Sequence, residues 1–345
     1  MKKHWWLALA FVVSWGAVAA EPTATRGKPA GARIEMGEGH FNRDGKAFHY
    51  WDKEKEVPAV CARCHGAEGL PQYLAEGKNA PVPQVKNAYA CTNCHADMLT
   101  YERRKVGSVN FASGLSVDSG NNDANLCMTC HQGRESTNSV NKAIADKPLD
   151  TPDPKLAFIH VHYYPAGATL YGTQAKVAYE FAGKTYAGRY SHPKQLNTCT
   201  SCHDPHGGEV KLEKCTSCHN EKGDRVEDFR AELKQDMTAL YAGIQQYARK
   251  VGGGSIAFSP DAFPYWYADS NGNGKVDEDE LKPTNGYKAY TPRLMQAVYN
   301  YTFLLRDPGA AIHNRSYAGQ VVYDSLESLA ASGQTEVSMK GRTRP

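Results

Sequence analysis

The last third of the chain has apolar residues at helical spacing. They recur every three or four positions from Asp224 up to a glycine-rich stop at Gly252, which predicts one long amphipathic helix. The positions that carry this period are Val226, Phe229, Leu233, Met237, Leu240, Ile244 and Tyr247.

Two further helices are predicted after this one. Thr291 and Pro292 form an N-cap and first-turn pair for a helix that runs to about Leu305 and closes at the sequence DPG. A third helix is predicted to follow His313, with Tyr317, Val321, Leu326 and Leu329 on its apolar stripe. Residues 223–345 should therefore form a C-terminal helical part.

The first two thirds of the chain lack a sustained period. Residues 1–20 combine two lysines, an apolar run and small residues, which predicts a secretory signal peptide and an exported protein. Residues 21–58 are predicted to be an extended N-terminal segment, and residues 59–222 to consist mostly of turns and one-turn helices. Residues 176–190, KVAYEFAGKTYAGRY, alternate around an Ala-Gly turn and predict a small β-hairpin.

Composition narrows the class of protein. The mean hydropathy of −0.58 indicates a thin protein core for a chain of 345 residues. The formal net charge is only +3, which does not indicate a nucleic-acid binder. Something other than the polypeptide is expected to supply part of the buried apolar surface.

The cysteines supply the candidate chemistry. All ten fall into five CxxC pairs and each pair is followed by histidine, so we number the motifs one to five in chain order. The pairs are Cys61 and Cys64, Cys91 and Cys94, Cys127 and Cys130, Cys199 and Cys202, and Cys215 and Cys218. The histidines are His65, His95, His131, His203 and His219.

CxxCH is the attachment motif of haem c. Two thiols on one tight turn can add to the two vinyl groups of one haem, and the next histidine is then placed to bind the iron. A zinc ribbon needs its CxxC pairs in twos, and a thioredoxin-like site needs one pair beside a βαβ unit. An odd number of pairs, each trailed by histidine, predicts five covalently attached haems instead.

Seven histidines outside the signal peptide and the motifs could bind the opposite faces of these irons. We expect the distal ligands to be His49, His162, His192, His206 and His313, with His40 and His160 in reserve. His206 lies three residues after His203, too near to reach the same iron, so it should serve a neighbouring haem. Methionines are weaker candidates, because Met237 and Met295 fall on helical apolar stripes.

A second metal motif lies between the first two predicted C-terminal helices. The sequence DSNGNGKVDEDE, residues 269–280, matches the twelve-residue calcium loop of an EF-hand, with glycine at its sixth position. Pro264 and Pro283 leave little room for full flanking helices, so a structural calcium ion is expected rather than a sensor. The predicted ligands are Asp269, Asn271, Asn273, Lys275 through its carbonyl, Asp277 and Glu280.

The five motifs, the run CHDPH and the segment DPGAAIHNRSYAGQVVYDSLESL together resemble multihaem c-type cytochromes of anaerobically respiring bacteria. The resemblance implies a mainly α, haem-packed fold with extensive irregular loops. It also implies an electron carrier with bis-histidine haems, located in the periplasm or on the outer surface, with His313 as a distal ligand. Its partners would be a membrane quinol-oxidising donor and an outer-membrane or extracellular acceptor.

Two alternatives stay open at this point. The protein could be a reductase of the pentahaem nitrite-reductase type, although the CxxCK motif typical of that family is absent from the sequence. It could also be a subunit of a cytochrome filament, in which a histidine of the N-terminal segment, His40 or His49, serves a haem of the next copy. The absence of any other catalytic motif favours a carrier over an enzyme.

Overall fold

The computed structural model describes residues 33–34, 40, 49–83, 90–193, 196–219 and 224–345. The predicted signal peptide and most of the predicted extended segment lie outside these residues. The helices of the described part are α1 Ala59–His65, α2 Gly69–Glu76, α3 Cys91–Cys94, α4 Asn122–Met128, α5 Thr137–Ile144, α6 Ala166–Tyr171, α7 Cys199–Cys202, α8 Leu212–Thr216, α9 Asp224–Tyr247, α10 Pro292–Arg306, α11 Ala310–His313 and α12 Arg315–Ala331.

The strands are short and pair only as antiparallel ladders of two. They are β1 Arg33–Ile34 with β6 Val210–Lys211, β2 Glu56–Val57 with β3 Val82–Pro83, β4 Val109–Asn110 with β5 Ser116–Val117, and β7 Ser255–Phe258 with β8 Trp266–Asp269. The pairing of β1 with β6 brings residues 33–34 beside the segment that joins the fourth and fifth CxxCH motifs.

The three long helices α9, α10 and α12 pack on one another. They begin where the sequence places them: the Thr291 hydroxyl accepts from the Leu294 N–H at 3.1 Å, and the Asn314 side chain accepts from the Tyr317 N–H at 3.0 Å. These caps satisfy N–H groups that a helix start leaves unpaired. The apolar stripes face one another, and Ile244, Val298 and Leu326 are fully buried between the helices.

The predicted hairpin at residues 176–190 is not formed, although the turn at Gly183 is present with φ +78°. Helix side chains take the backbone groups that a ladder would need. Asn300 of α10 accepts from the Tyr179 N–H at 2.7 Å and donates to the Tyr179 carbonyl at 3.0 Å. Gln320 of α12 accepts from the Ala187 N–H at 2.7 Å. The segment is therefore held as irregular chain against the helices.

These contacts place the C-terminal helices over the middle of the chain. One apolar core includes residues from both parts, among them Tyr171 and Val177 on one side and Tyr299 and Tyr317 on the other. Within the described ranges, no helix combines the length and the apolar character needed to cross a bilayer.

Candidate haem sites

Each CxxCH motif forms one helical turn. The N–H of the motif histidine donates to the carbonyl of the first cysteine of its own motif at 2.9 Å for His95, 3.0 Å for His131 and 2.9 Å for both His203 and His219. The first motif lies within α1 and ends it at His65. Residues three and four positions apart share one helix face, so both thiols and the imidazole project to the same side of each turn. All ten cysteines are free of disulfides.

Cysteines of different motifs lie against one another. The Cys64 thiol of the first motif lies beside Cys130 of the third, and Cys127 of the third lies beside Cys199 of the fourth. In both Cys127 and Cys130 the neighbouring thiol and burial raise the pKa. The third motif therefore lies between the first and the fourth.

Four motif histidines each face a histidine from another part of the chain. The ring centroids are 5.9 Å apart for His65 and His162, 6.2 Å for His95 and His206, 5.9 Å for His131 and His40, and 6.2 Å for His203 and His313. Two imidazoles bound to opposite faces of one metal ion, each with a metal–nitrogen bond of about 2 Å, have centroids about 6 Å apart. The spacing of all four pairs fits axial ligation of an iron.

The fifth motif histidine has a candidate partner in His192. Burial, together with the nearby charge of His219, lowers the pKa of His192. Four motif histidines thus face a second histidine at about 6 Å, and the fifth has His192 within electrostatic range.

Hydrogen bonds orient four of the paired rings. Nδ1–H donates to a backbone carbonyl in His40 (Pro205, 2.8 Å), His95 (Tyr101, 2.7 Å) and His131 (Tyr164, 3.0 Å). In His313 it donates to the Asp307 carboxylate at 2.9 Å. A histidine that binds a metal almost always donates its other ring N–H in this way, because the bond fixes the tautomer and the ring orientation. In each of these rings Nε2 is then the nitrogen that would bind an iron.

The protonation of these histidines follows from their burial. Burial lowers the pKa of His131 to about 4 and that of His162 to about 4, so both imidazoles are neutral, as metal ligation requires. His313 differs, because the Asp307 carboxylate outweighs burial and raises its pKa. His162 also has a backbone φ of +80°, which is unusual outside glycine and typical of functional positions.

Two histidines lie outside these pairs. His49, which the sequence analysis favoured, has its Nδ1 2.8 Å from a carboxylate oxygen of Asp52. His160, kept in reserve, stacks on Tyr265 with a centroid distance of 4.6 Å. The ring opposite His131 is instead that of His40, the other reserve. Sequence spacing carried no signal that could separate His40 from His49.

Buried arginine nitrogens without partners also fit haem groups. In the described part of the chain, Nε of Arg63 and Nε of Arg189 are buried and have no hydrogen-bond acceptor. Arg63 belongs to the first motif, and Arg189 lies over the ring of Tyr171 at 5.2 Å. Haem c carries two anionic propionates, so buried guanidinium donors suit this cofactor.

The predicted calcium loop has Asp269 and Glu280 at its ends, each only 4% exposed. Asp269 accepts from the Gly272 and Gly274 N–H groups at 2.7 and 2.8 Å, and Glu280 accepts from the Ser270 N–H at 2.6 Å. Gly274 has φ +82°, as the sharp turn requires. Across the described ranges no three His, Cys, Asp or Glu side chains converge closely enough to hold a metal ion by themselves. A calcium ion here would need the Asn and carbonyl oxygens as well.

Known proteins with a similar sequence bear on the cofactor. Two relatives from Geobacter sulfurreducens are the C-type polyheme cytochromes OmcB and OmcC, each 27% identical over an alignment that covers 81% of this chain. The chain spans 45% of the length of OmcB and 44% of that of OmcC. No family model matches the chain, and no solved structure matches it. The chain is thus similar to multihaem c-type cytochromes, and its five CxxCH motifs fit haem c as the cofactor.

Proposed function

We propose that this protein is a carrier that moves electrons through five covalently bound haems c, each with two axial histidines. The observation that carries the proposal is the set of histidine pairs at about 6 Å. The proposed proximal and distal ligands, for motifs one to five, are His65 with His162, His95 with His206, His131 with His40, His203 with His313 and His219 with His192.

Full axial ligation favours a carrier over an enzyme. A reductase of the nitrite-reductase type needs one iron with an open position, whereas every motif here has a candidate distal ligand. Because His40 faces His131 of its own chain, a histidine from a second copy is not required, and this favours a self-contained carrier over a filament subunit. The expected route runs from a membrane quinol-oxidising donor to an outer-membrane or extracellular acceptor, with the protein exported to the periplasm or the outer surface.

A series of single histidine-to-alanine variants tests the ligand set. Each change at His40, His162, His192, His206 or His313 should convert one low-spin haem to high spin, as read by electron paramagnetic resonance of the ferric protein. The same change at His49 or His160 is the matched control and should leave five low-spin haems. Loss of a low-spin signal in His49→Ala but not in His40→Ala would show that the assignment to the third haem is wrong.

A second measurement tests the absence of a reactive iron. Ferric wild-type protein is titrated with cyanide and then with nitrite while the high-spin signal and the Soret band are recorded. A carrier with five bis-histidine haems should show no change. Stoichiometric binding of either anion to one haem would favour the reductase alternative.

We also propose that residues 269–280 bind one calcium ion with a structural role. The loop is fixed to α9, since Gln245 and Tyr241 donate to the Gly274 carbonyl at 2.9 and 3.2 Å. Calcium there would join α9 to the strand that ends at Asp269. The buried carboxylates of Asp269 and Glu280 supply the charge that a divalent cation needs.

A further inference from the structure

Arg306 is the last residue of α10 and has buried donors with no acceptor. It is only 9% exposed, and its Nε and Nη2 have no hydrogen-bond partner among the residues that the structure describes. A buried donor left unpaired is unfavourable, and more so when the group is charged. Such an arrangement indicates that an acceptor outside the polypeptide completes the site.

Neighbouring rings do not supply that acceptor. The guanidinium carbon lies 4.2 Å from the centre of the Tyr163 ring and 4.8 Å from that of Tyr265. These rings cover the faces of the planar group, whereas its N–H bonds point outward in its plane. The two phenol oxygens are hydrogen bonded to each other at 2.7 Å. The Nε–Nη2 edge is therefore held in a fixed direction and still lacks a partner.

A second unpaired nitrogen lies beside the same rings. The His160 ring stacks on Tyr265 at 4.6 Å, and its buried Nε2 has no hydrogen-bond partner in the described part of the chain. Because the guanidinium of Arg306 is charged and buried, the acceptor that both nitrogens lack should be an anion.

The anion should belong to the haem of the first motif. His160 lies 6.0 Å from His162, centroid to centroid, and His162 is the ring that faces His65. Tyr163 lies next to His162 in the chain and contacts its ring at 5.3 Å. The position of Arg306 is fixed as well, because its carbonyl accepts from the Tyr164 N–H at 3.0 Å.

We propose that Arg306, with His160 beside it, binds a propionate carboxylate of the haem attached at Cys61 and Cys64. The Nε–Nη2 edge of arginine matches a carboxylate in a two-point interaction. Arg306 acts on this haem as a positioning residue, and its positive charge favours the reduced iron. This inference rests on the proposed haem at His65.

Three variants test this site on the haem-loaded protein. Arg306→Gln removes the charge, and Arg306→Lys keeps the charge but loses the two-point geometry. Arg315→Gln is the matched control, because Arg315 also lies over an aromatic ring, at 3.8 Å from Phe229, but is exposed and paired with Glu232. The midpoint potentials of all haems are measured by spectroelectrochemical titration, and the haems are counted as the pyridine haemochrome.

Removal of the Arg306 charge should lower the potential of one haem and leave the other four unchanged. We expect about a tenfold change in the reduction equilibrium constant of that haem, which corresponds to about 59 mV for one electron. Arg306→Lys should give a smaller shift together with a displaced propionate bending band in the resonance Raman spectrum. Arg315→Gln should change neither property.

Two results would overturn the proposal. One is a full complement of five haems with unchanged potentials in Arg306→Gln and an unchanged propionate band in Arg306→Lys. The other is a wild-type potential that moves when acetate replaces chloride at constant ionic strength, with that response lost in Arg306→Gln, because a free anion would then be the occupant. Fewer than five haems in the wild type would instead contradict the proposed function.

Discussion

Asp307 and His313 show how one carboxylate tunes a candidate iron ligand. Asp307 is 2% exposed and accepts the Nδ1–H of His313 at 2.9 Å. An anionic acceptor at this position makes the imidazole a stronger electron donor to a metal bound at Nε2. In the proposed arrangement, the neighbouring Arg306 brings the opposite charge to the haem between His65 and His162. Two adjacent residues would then act with opposite sign on two different haems.

Substitution of Asp307 by asparagine should raise the potential of the fourth haem. The amide can still accept the Nδ1–H but no longer stabilises the ferric state by charge. We expect a rise of up to about 60 mV, a tenfold change in a one-electron equilibrium. Redox titration monitored by optical spectroscopy measures it. Asp150→Asn is the control, since that carboxylate pairs with Arg293 and not with a histidine. Equal shifts in the two variants would contradict this role.

At this scale some candidate ligands could be proposed from the sequence and others could not. The CxxCH histidines follow from the spacing of the motif alone, and the nearness of His206 to His203 predicts that His206 serves a neighbouring haem. The choice of His40 over His49 depends on a contact between residues far apart in sequence. Asp307 and Arg306 carry no local motif, so only the packed structure relates them to haem sites.

Helix α11 brings His313 to its position through a close contact with the backbone. Gly309 precedes this helix, and a Cβ added there would lie 2.6 Å from Cε1 of the His313 ring and 3.0 Å from each ring nitrogen. Contacts below 3.0 Å with a ring held by a hydrogen bond to Asp307 cannot be relieved without moving the ring. The glycine is thus needed so that His313 can face His203.

Gly309→Ala should displace His313 and convert the fourth haem to high spin while leaving the other four low spin. Electron paramagnetic resonance of the ferric protein measures this. Gly254→Ala is the control, because a Cβ at Gly254 meets nothing within 4 Å. Retention of five low-spin haems in Gly309→Ala would show that the ring tolerates the methyl group.

The N-cap of α10 is a separate test of the helical part. Thr291 is fully buried, and its hydroxyl accepts from the Leu294 N–H and contacts the Tyr247 hydroxyl at 3.0 Å. Thr291→Ala should lower the free energy of unfolding by about 1 kcal/mol through the lost cap, since the Tyr247 hydroxyl keeps its bond to Asp150 at 2.6 Å. Chemical denaturation followed by far-UV circular dichroism measures it. The exposed Thr238→Ala of α9 should change stability by much less.

Elements were predicted well where periodicity and caps agree, and poorly where the tertiary structure decides. The helices α9, α10 and α12 begin at or next to the predicted positions, because both their apolar period and their first residues are in the sequence. The predicted hairpin at residues 176–190 is not formed, because the side chains of Asn300 and Gln320 bind backbone groups of this segment. An alternation of apolar residues is compatible with such a segment as well as with a strand. The local pattern of apolar residues cannot show whether a backbone group will pair with a second strand or with the side chain of a helix.

At the scale of the whole molecule, one hydrophobic core is shared by a part built of short elements and a part built of three long helices. In the described parts of residues 59–219 the elements are short, and the three long helices supply most of the large buried side chains. The sequence predicted the long helices of the last third from their apolar period. The register between the parts could not be predicted, since it depends on contacts such as that of Asn300 with Tyr179.

Calcium should stabilise the helical part as a unit. Removal of calcium with a chelator is expected to lower the melting temperature, and added calcium should restore it, since the ion would bind the folded loop and not the unfolded chain. Glu280→Gln should abolish the response, whereas Glu278→Gln, outside the predicted ligand set, should keep it. Identical melting temperatures with and without the chelator would contradict a calcium site.

The order of the paired histidines along the chain has a consequence for biogenesis. His162, which faces His65, follows the first three motifs in the chain. His40, which faces His131, precedes all five motifs, and His313, which faces His203, follows the last one. Under the proposed ligation, the second histidine follows its motif in the chain for the first, second and fourth haems, whereas His40 and His192 precede the motifs that they serve. Each of those three haems would be attached while one imidazole holds its iron, and its coordination would be completed only when the later histidine has been exported.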